Sequence, residues 1–204
     1  MSNEIQNKSE SAKKLASTEE DRLFMTEVLA LAQEAAAQGE IPVAAILVES
    51  GQILARAANS REKSQNPLGH AEVLCLMEAA EKTGRRFFPQ ASLYCNLEPC
   101  LMCLGAIIQA RVGRLVYAAA DQKGGAAYLL EDPELRVNHR PELQAGLLAE
   151  ESSQLLKSFF RSRRQINKHY GGRGARRILY EKGYTKPELI NQKEPSEDRA
   201  QLEE

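Results

Sequence analysis

The chain has 204 residues, 43% of them apolar, with 27 Lys or Arg against 28 Asp or Glu and a formal net charge of -1. That is enough apolar material for one packed domain with extra segments, and it excludes a wholly disordered chain. No run approaches the roughly 18 consecutive apolar residues of a membrane span, residues 1–15 lack the apolar core of a signal peptide, and 4 cysteines are too few for a disulfide scaffold. The expectation is a cytoplasmic protein without a membrane contact.

Residues 1–16, rich in Ser, Asn, Glu and Lys, are expected to be a disordered arm. Ser17 with Glu20 offers a capping box leading into Phe24, Val28, Leu31 and Ala35 at helical spacing, and Gly39 is the expected helix end. Residues 41–48 form an apolar run, and Ser50-Gly51 supplies a turn into residues 53–58, so two antiparallel strands are predicted. A polar loop fills 59–69.

A second helix is predicted over 70–83, ended by Gly84, and a short strand over 92–96. Pro99 suits the first position of a third helix reaching Ala110. Residues 115–119 read as a strand and 149–165 as a last long helix carrying Leu155, Leu156, Phe159 and Phe160. Strands alternating with helices predict a three-layer α/β domain. Beyond Asn167 the glycines and prolines break any period, so residues 166–204 are expected to be a flexible extension, with at most one short element at 177–184. Charge is uneven there: residues 157–186 carry ten Lys or Arg against Glu181 alone, and 188–204 turns acidic.

Two motifs carry chemistry. His70-Ala71-Glu72 and, later, Pro99-Cys100-Leu101-Met102-Cys103 match the H-x-E and P-C-x-x-C signature of zinc-dependent base deaminases. One imidazole and two thiolates fill three corners of a tetrahedron, and a catalytic zinc keeps the fourth for water. Both ligand groups fall at predicted helix starts, where the helix dipole favours a thiolate. Glu72 need not bind metal and is free to move protons. Zinc brings the pKa of water from 15.7 towards about 7, so the reaction predicted is hydrolytic loss of an exocyclic amine.

Taken singly the pieces are ambiguous. A C-x-x-C also serves structural zinc half-sites and redox pairs, and a lone His is more often a satisfied structural residue. No second half-site exists, however, and Cys75 and Cys95 fall in predicted element interiors as small core residues.

Residues 39–165 resemble the bacterial tRNA-specific adenosine deaminases. The matching segments, besides the two motifs, are Ile41-Pro42-Val43-Ala44-Ala45, Asn59, Leu97-Glu98 running into the second motif, Gly105-Ala106-Ile107, Arg111-Val112-Gly113-Arg114, the loop from Asp121 to Ala126, Asn138-His139-Arg140 and the stretch from Phe159 to Gln165. The resemblance implies a cytidine-deaminase-like three-layer α/β/α fold with a central mixed sheet, spanning residues 17–165, and a homodimer that converts adenosine to inosine at the wobble position of a tRNA anticodon stem-loop. It implies one zinc per subunit on His70, Cys100 and Cys103, a proton shuttle at Glu72, a base contact at Asn59 and a ribose contact at Asp121. Arg161, Arg163 and Arg164 suit phosphates, and Phe159 or Phe160 suits stacking, although core packing is the competing role for Phe159. His139 is expected to fix a loop, and His169 to have no specific role.

The chain also departs from the family pattern at Asn66, Leu68, Gly69, Cys95, Asn96, Ala120 and Tyr128. Gly69 is expected to loosen the approach to the second helix, and several of the others to line or flank the nucleic-acid entrance. The alternatives are a free-base or nucleoside deaminase acting on cytosine or guanine, an RNA-binding protein without activity, and a dithiol redox protein. A free-base enzyme has no electrostatic need for the basic last helix.

Overall fold

Alternation along one strand sets the architecture. In β1 (Ala44–Glu49), Ala45 and Leu47 point into one apolar cluster, while Ala44, Ile46 and Val48 point into another on the opposite face. A strand buried on both sides must be covered on both sides, which is the three-layer fold expected. The structure, a computed structural model, describes residues 18–170 and, in the last helix, side chains as far as Gln165. The expected arm at 1–16, the His169 side chain and the element at 177–184 lie outside the described residues. The chain divides into two units, 1–156 and 157–204.

The first unit opens with α1 (Glu19–Ala37), whose Met25, Val28, Leu29, Ala32 and Ala35 repeat every three or four residues and are buried. Its capping box is formed by Thr18 and Asp21, one residue later than the expected Ser17 and Glu20: Thr18 Oγ1 accepts the Asp21 N–H at 3.0 Å and Asp21 Oδ2 accepts the Thr18 N–H at 2.9 Å. Gly39, at φ +90°, takes the left-handed conformation that ends the helix.

Ser50 and Gly51, both at positive φ, make the tight turn from β1 into β2 (Gln52–Ala58). A single helical turn, α2 (Arg61–Ser64), interrupts the expected loop. Then follow α3 (Ala71–Thr83), ended at Gly84, β3 (Ser92–Leu97), α4 (Leu101–Gln109), β4 (Arg114–Ala119), a short 3-10 turn (Ala127–Glu131) and β5 (Glu142–Ala145).

The strands form one sheet in the order β2-β1-β3-β4-β5, antiparallel as far as β3 and parallel from β3 to β5. α3 and α4 cover one face through Cys75, Leu76, Ala79, Leu104 and Ile107, and α1 covers the other. Each such fully buried aliphatic side chain stabilises the fold by about 1.5–3 kcal/mol. β5 has no counterpart among the predicted strands. The last helix, α5 (Ala149–Tyr170), runs five residues past the expected end at Gln165. No helix among the described residues is long and apolar enough to cross a membrane.

Candidate active site

The site is built where β3 hands over to α4 and where the 59–69 loop hands over to α3. His70 and Cys100 are not inside their helices but are the N-cap residues, with extended backbones at φ -79° and φ -72°. Pro99 therefore precedes the cap and is not the first helical residue as expected. Its fixed φ and missing N–H fit a position just outside the helix equally well. Cys103 lies three residues into α4, so its thiol returns to the helix start beside Cys100.

These three donors converge. His70 Nδ1 is 3.7 Å from Cys100 Sγ and 3.4 Å from Cys103 Sγ, and the two sulfurs are 3.6 Å apart. A tetrahedral zinc with bonds of about 2.3 Å to sulfur and 2.0–2.1 Å to nitrogen has edges of about 3.8 Å between sulfurs and about 3.6 Å between sulfur and nitrogen. The triangle fits a metal ion, and it is the one such His/Cys/Asp/Glu group among the described residues. Burial, with the Arg61 charge adding to it, holds the His70 imidazole below its ordinary pKa, in the neutral form a ligand needs.

At Cys103 the surroundings oppose the thiolate that the helix start favours. Burial, and then the Glu72 carboxylate, push that thiol up. A cation between the sulfurs reverses the balance, since a coordinating thiol is deprotonated outright.

Glu72, in the first turn of α3, is 3% exposed, and its Oε2 is the one buried side-chain oxygen among the described residues without a hydrogen-bond partner. Burial pushes its carboxyl up, against a smaller opposing contact from the Cys103 thiol. A buried, unpartnered acceptor of this kind costs on the order of 1–3 kcal/mol, and such groups persist at reactive centres.

Asn59, 7% exposed, follows the end of β2. Its Nδ2 donates to Glu40 Oε2 at 3.0 Å, and the same carboxylate accepts the N–H groups of Glu62 at 3.3 Å and Lys63 at 2.5 Å. A carboxylate only accepts, so Glu40 dictates which end of the Asn59 amide faces it and leaves Oδ1 to point elsewhere. Sequence reasoning missed Glu40, although an acid abutting the apolar 41–48 run was a signal. A depression of about 190 Å³ beside the pair is walled by Leu31, Glu34, Gln38 and Lys63 and includes none of the three donors.

Asp121 lies in the loop after β4, with its Oδ1 accepting the Lys123 N–H at 3.0 Å and its own N–H donated to Glu98 Oε2 at 3.0 Å. Glu98 belongs to a segment that resembles the family, but sequence reasoning assigned it no role. His139 fixes a loop as expected, bonding the Val112 carbonyl through Nε2 at 2.7 Å, while Arg140 reaches the carbonyls of Leu130, Asp132 and Leu135.

Two expectations about the departures need correction. Gly69 does not loosen the helix entry: it is buried, donates to the Asn66 carbonyl and accepts from the Ser60 N–H, and an added Cβ would press on backbone at 3.2–3.3 Å. Cys95, 0% exposed, is the small core residue expected, whereas Asn96, also 0% exposed, lines no entrance. Asn96 is a bolt instead. Its Oδ1 accepts the Ala44 N–H at 2.8 Å, and its Nδ2 donates to the Pro42 carbonyl at 2.9 Å and to Ser152 Oγ of α5 at 3.2 Å. Leu68 and Tyr128 are exposed, and Asn66 Oδ1 caps the Leu68 N–H at 2.9 Å.

In the second unit, Phe159 is 5% exposed, edge-on to Phe160, with the Arg163 guanidinium 5.3 Å over its ring. Its face is taken, which fits packing and not stacking on a base. Phe160 is 42% exposed, and Arg161 and Arg164 are exposed.

A three-donor metal cluster beside a buried carboxylate, at helix starts along one mixed sheet, is the arrangement of a hydrolytic base deaminase. The comparisons agree. A family described as MafB19-like deaminase matches residues 19–164. The tRNA-specific adenosine deaminase of Bacillus subtilis (strain 168) is 42% identical over 151 residues, covering 73% of this chain and 94% of that protein. A solved structure from a study of A-to-I editing by tRNA:A34 deaminases at the wobble position of transfer RNA is 37% identical with a TM-score of 0.62, covering 66% of this chain and 99% of that one. A guanine deaminase from Nitrosomonas europaea is 26% identical with a TM-score of 0.58, covering 71% of this chain and 85% of that one. The chain belongs to the deaminase family of these relatives.

Proposed function

We propose that this protein is a zinc-dependent hydrolase that deaminates adenosine to inosine at the wobble position of a tRNA anticodon. The observation that carries it is the His70, Cys100 and Cys103 triangle with Glu72 buried beside it, in a chain 42% identical to a tRNA-specific adenosine deaminase. Zinc held by those three residues supplies a Lewis acid that makes water a nucleophile near neutral pH.

The chain's own groups do the rest. Glu72 Oε2, without a partner, carries one proton from the attacking water to the purine ring nitrogen and a second from the added hydroxyl to the amine, which leaves as ammonia. Asn59, with its amide set by Glu40, holds the flipped base, and the Asp121 loop meets a ribose hydroxyl, a contact that separates RNA from DNA. Arg161, Arg163 and Arg164 attract phosphates, with Phe160 as the exposed ring of that helix. Assembly as a homodimer in the cytoplasm and a catalytic domain over residues 17–165 complete the proposal. Sedimentation of the full chain tests the dimer.

Incubating the zinc-loaded protein with tRNA bearing an unmodified adenosine at the wobble position, then digesting to nucleosides, should yield inosine. The guanine deaminase likeness supports a second reading, free-base deamination. Guanine consumption without inosine formation in the same assay would establish it and refute the first.

A further inference from the structure

The turn that delivers Cys100 is fastened to the loop after β4 by a residue the chemistry does not use. Glu98, between the end of β3 and Pro99, turns its carboxylate into that loop. Oε2 accepts the Asp121 N–H at 3.0 Å and Oε1 accepts the Ala127 N–H at 3.1 Å, so one side chain holds both ends of a seven-residue segment, 121–127. Backbone contacts close around it: the Glu98 N–H bonds the Ala119 carbonyl at 2.8 Å, the Ala126 N–H bonds the Pro99 carbonyl at 2.9 Å, and Cys100 pairs with Gly125 as an isolated bridge.

Gly125 is the position that admits the clamp. A Cβ there would overlap Glu98 Cδ and Oε2 and lie 2.6 Å from the Asp121 carbonyl oxygen, within the distances real Cβ atoms avoid. No exposed acid needs such a fitted socket to stay soluble. A carboxylate aimed at two backbone N–H groups is a strong, directional tie, because charged acceptors make shorter and stronger hydrogen bonds.

We propose that Glu98 is a positioning residue for the deamination: it clamps the Asp121–Ala127 loop against the Cys100 turn, and so sets where the loop meets the RNA relative to the metal-holding thiols. The proposal deepens the role suggested for Asp121 and rests on it. Both Glu98 oxygens are taken by backbone N–H groups of the loop, so it acts through the loop. Its removal should leave the donors in place and misplace the loop.

The test uses the zinc-loaded full chain and an anticodon stem-loop substrate, with amide hydrogen exchange of residues 119–128 as a readout independent of turnover. In Glu98→Ala, exchange across that segment should accelerate. KM should rise on the order of tenfold, the size of a lost charged hydrogen bond, with kcat within about threefold of the parent and zinc still at one per chain. Gly125→Ala should reproduce this pattern, and Glu98→Gln, which keeps one acceptor, should fall between. The Glu98→Ala/Asp121→Ala pair should be little worse than Asp121→Ala alone, because both act through one loop.

Unchanged exchange in Glu98→Ala overturns the proposal. So does loss of zinc with KM unaltered, or an unaltered KM when Asp121→Ala raises it. If instead Asp121→Ala is silent while Glu98→Ala raises KM, the clamp stands and the Asp121 contact falls. Should Glu98→Ala fold poorly, Glu98→Gln and Gly125→Ala carry the same measurements.

Discussion

Arg114 meets Asp21 with both prongs of its guanidinium, Nη1 to Oδ1 at 2.7 Å and Nη2 to Oδ2 at 2.9 Å, tying the start of β4 to the first turn of α1. The Tyr94 hydroxyl donates to the same Oδ1 at 2.7 Å, and Gln144 Oε1 of β5 accepts from Arg114 Nη2. Burial pushes the Asp21 carboxyl up, but the bonds from Arg114, Tyr94 and Thr18 outweigh it and hold the group well below the ordinary carboxylate range. Because the folded value lies below the unfolded one of about 3.9, this contribution is fully present above about pH 4 and is lost as the pH falls towards the native value. Stability should therefore drop in acid, and Asp21→Asn should flatten that acid limb while costing on the order of 1–3 kcal/mol at pH 7, where it leaves Arg114 with Gln144 and the exposed Glu142, 4.0 Å away, as its remaining partners. Urea titrations at pH 7 and pH 3 check both.

Glu72→Gln should abolish inosine formation, a loss of about a hundredfold or more, while metal content stays at the parental value. The substitution replaces a buried carboxyl whose Oε2 has no hydrogen-bond partner, so the melting temperature should not fall. Metal analysis beside a single-turnover assay reads both, and surviving activity would remove Glu72 from the proton pathway.

Chelation should stop turnover and lower Tm together, because an ion bound to the folded state alone stabilises it by mass action. Zinc addition should restore both, and Cys103→Ala should be insensitive to either treatment. A chelated protein with unchanged Tm and activity would exclude a metal at this cluster.

Glu40→Ala should release the Asn59 amide and leave the Glu62 and Lys63 N–H groups without their acceptor. We expect kcat/KM to fall on the order of tenfold or more, with Asn59→Ala at least as severe and the double variant little worse than the worse single one. Independent, additive losses would show that Glu40 does not act through Asn59.

Arg161→Ala with Arg164→Ala should weaken stem-loop binding at low salt and reduce the slope of log K against log salt by about 0.7 per lost phosphate contact. Phe159→Leu, a change at a covered ring, should alter binding far less than Phe160→Ala. Equal salt slopes for parent and variant would place those arginines away from the RNA.

The His70, Cys100 and Cys103 triangle was legible in the sequence because its donors obey local rules: a pair three residues apart at one helix start, and a His two residues before a carboxylate at another. Helix ends at Gly39 and Gly84 and the Ser50-Gly51 turn were legible for the same reason, as single residues whose backbone preference decides the outcome. β5 was not. Its four residues bury little beyond Gln144, and only parallel pairing with β4 makes them a strand. Glu40, Glu98 and Asn96 escaped because their partners include backbone N–H groups 22 to 52 residues away, and no side-chain pattern announces such a partner. Asn96, a departure from the family pattern, looked like a pocket residue until its bonds to β1 and α5 placed it in the interior.

Strand β4 carries the ion pair at its first residue, Arg114, and leads out of its last, Ala119, into the loop that Glu98 grips. Those ends are the first and last of six extended residues, about 16 Å apart along the strand, past the range over which substitutions couple. Acid tolerance and substrate choice can thus drift, or be engineered, as two nearly separate dials on a single secondary-structure element.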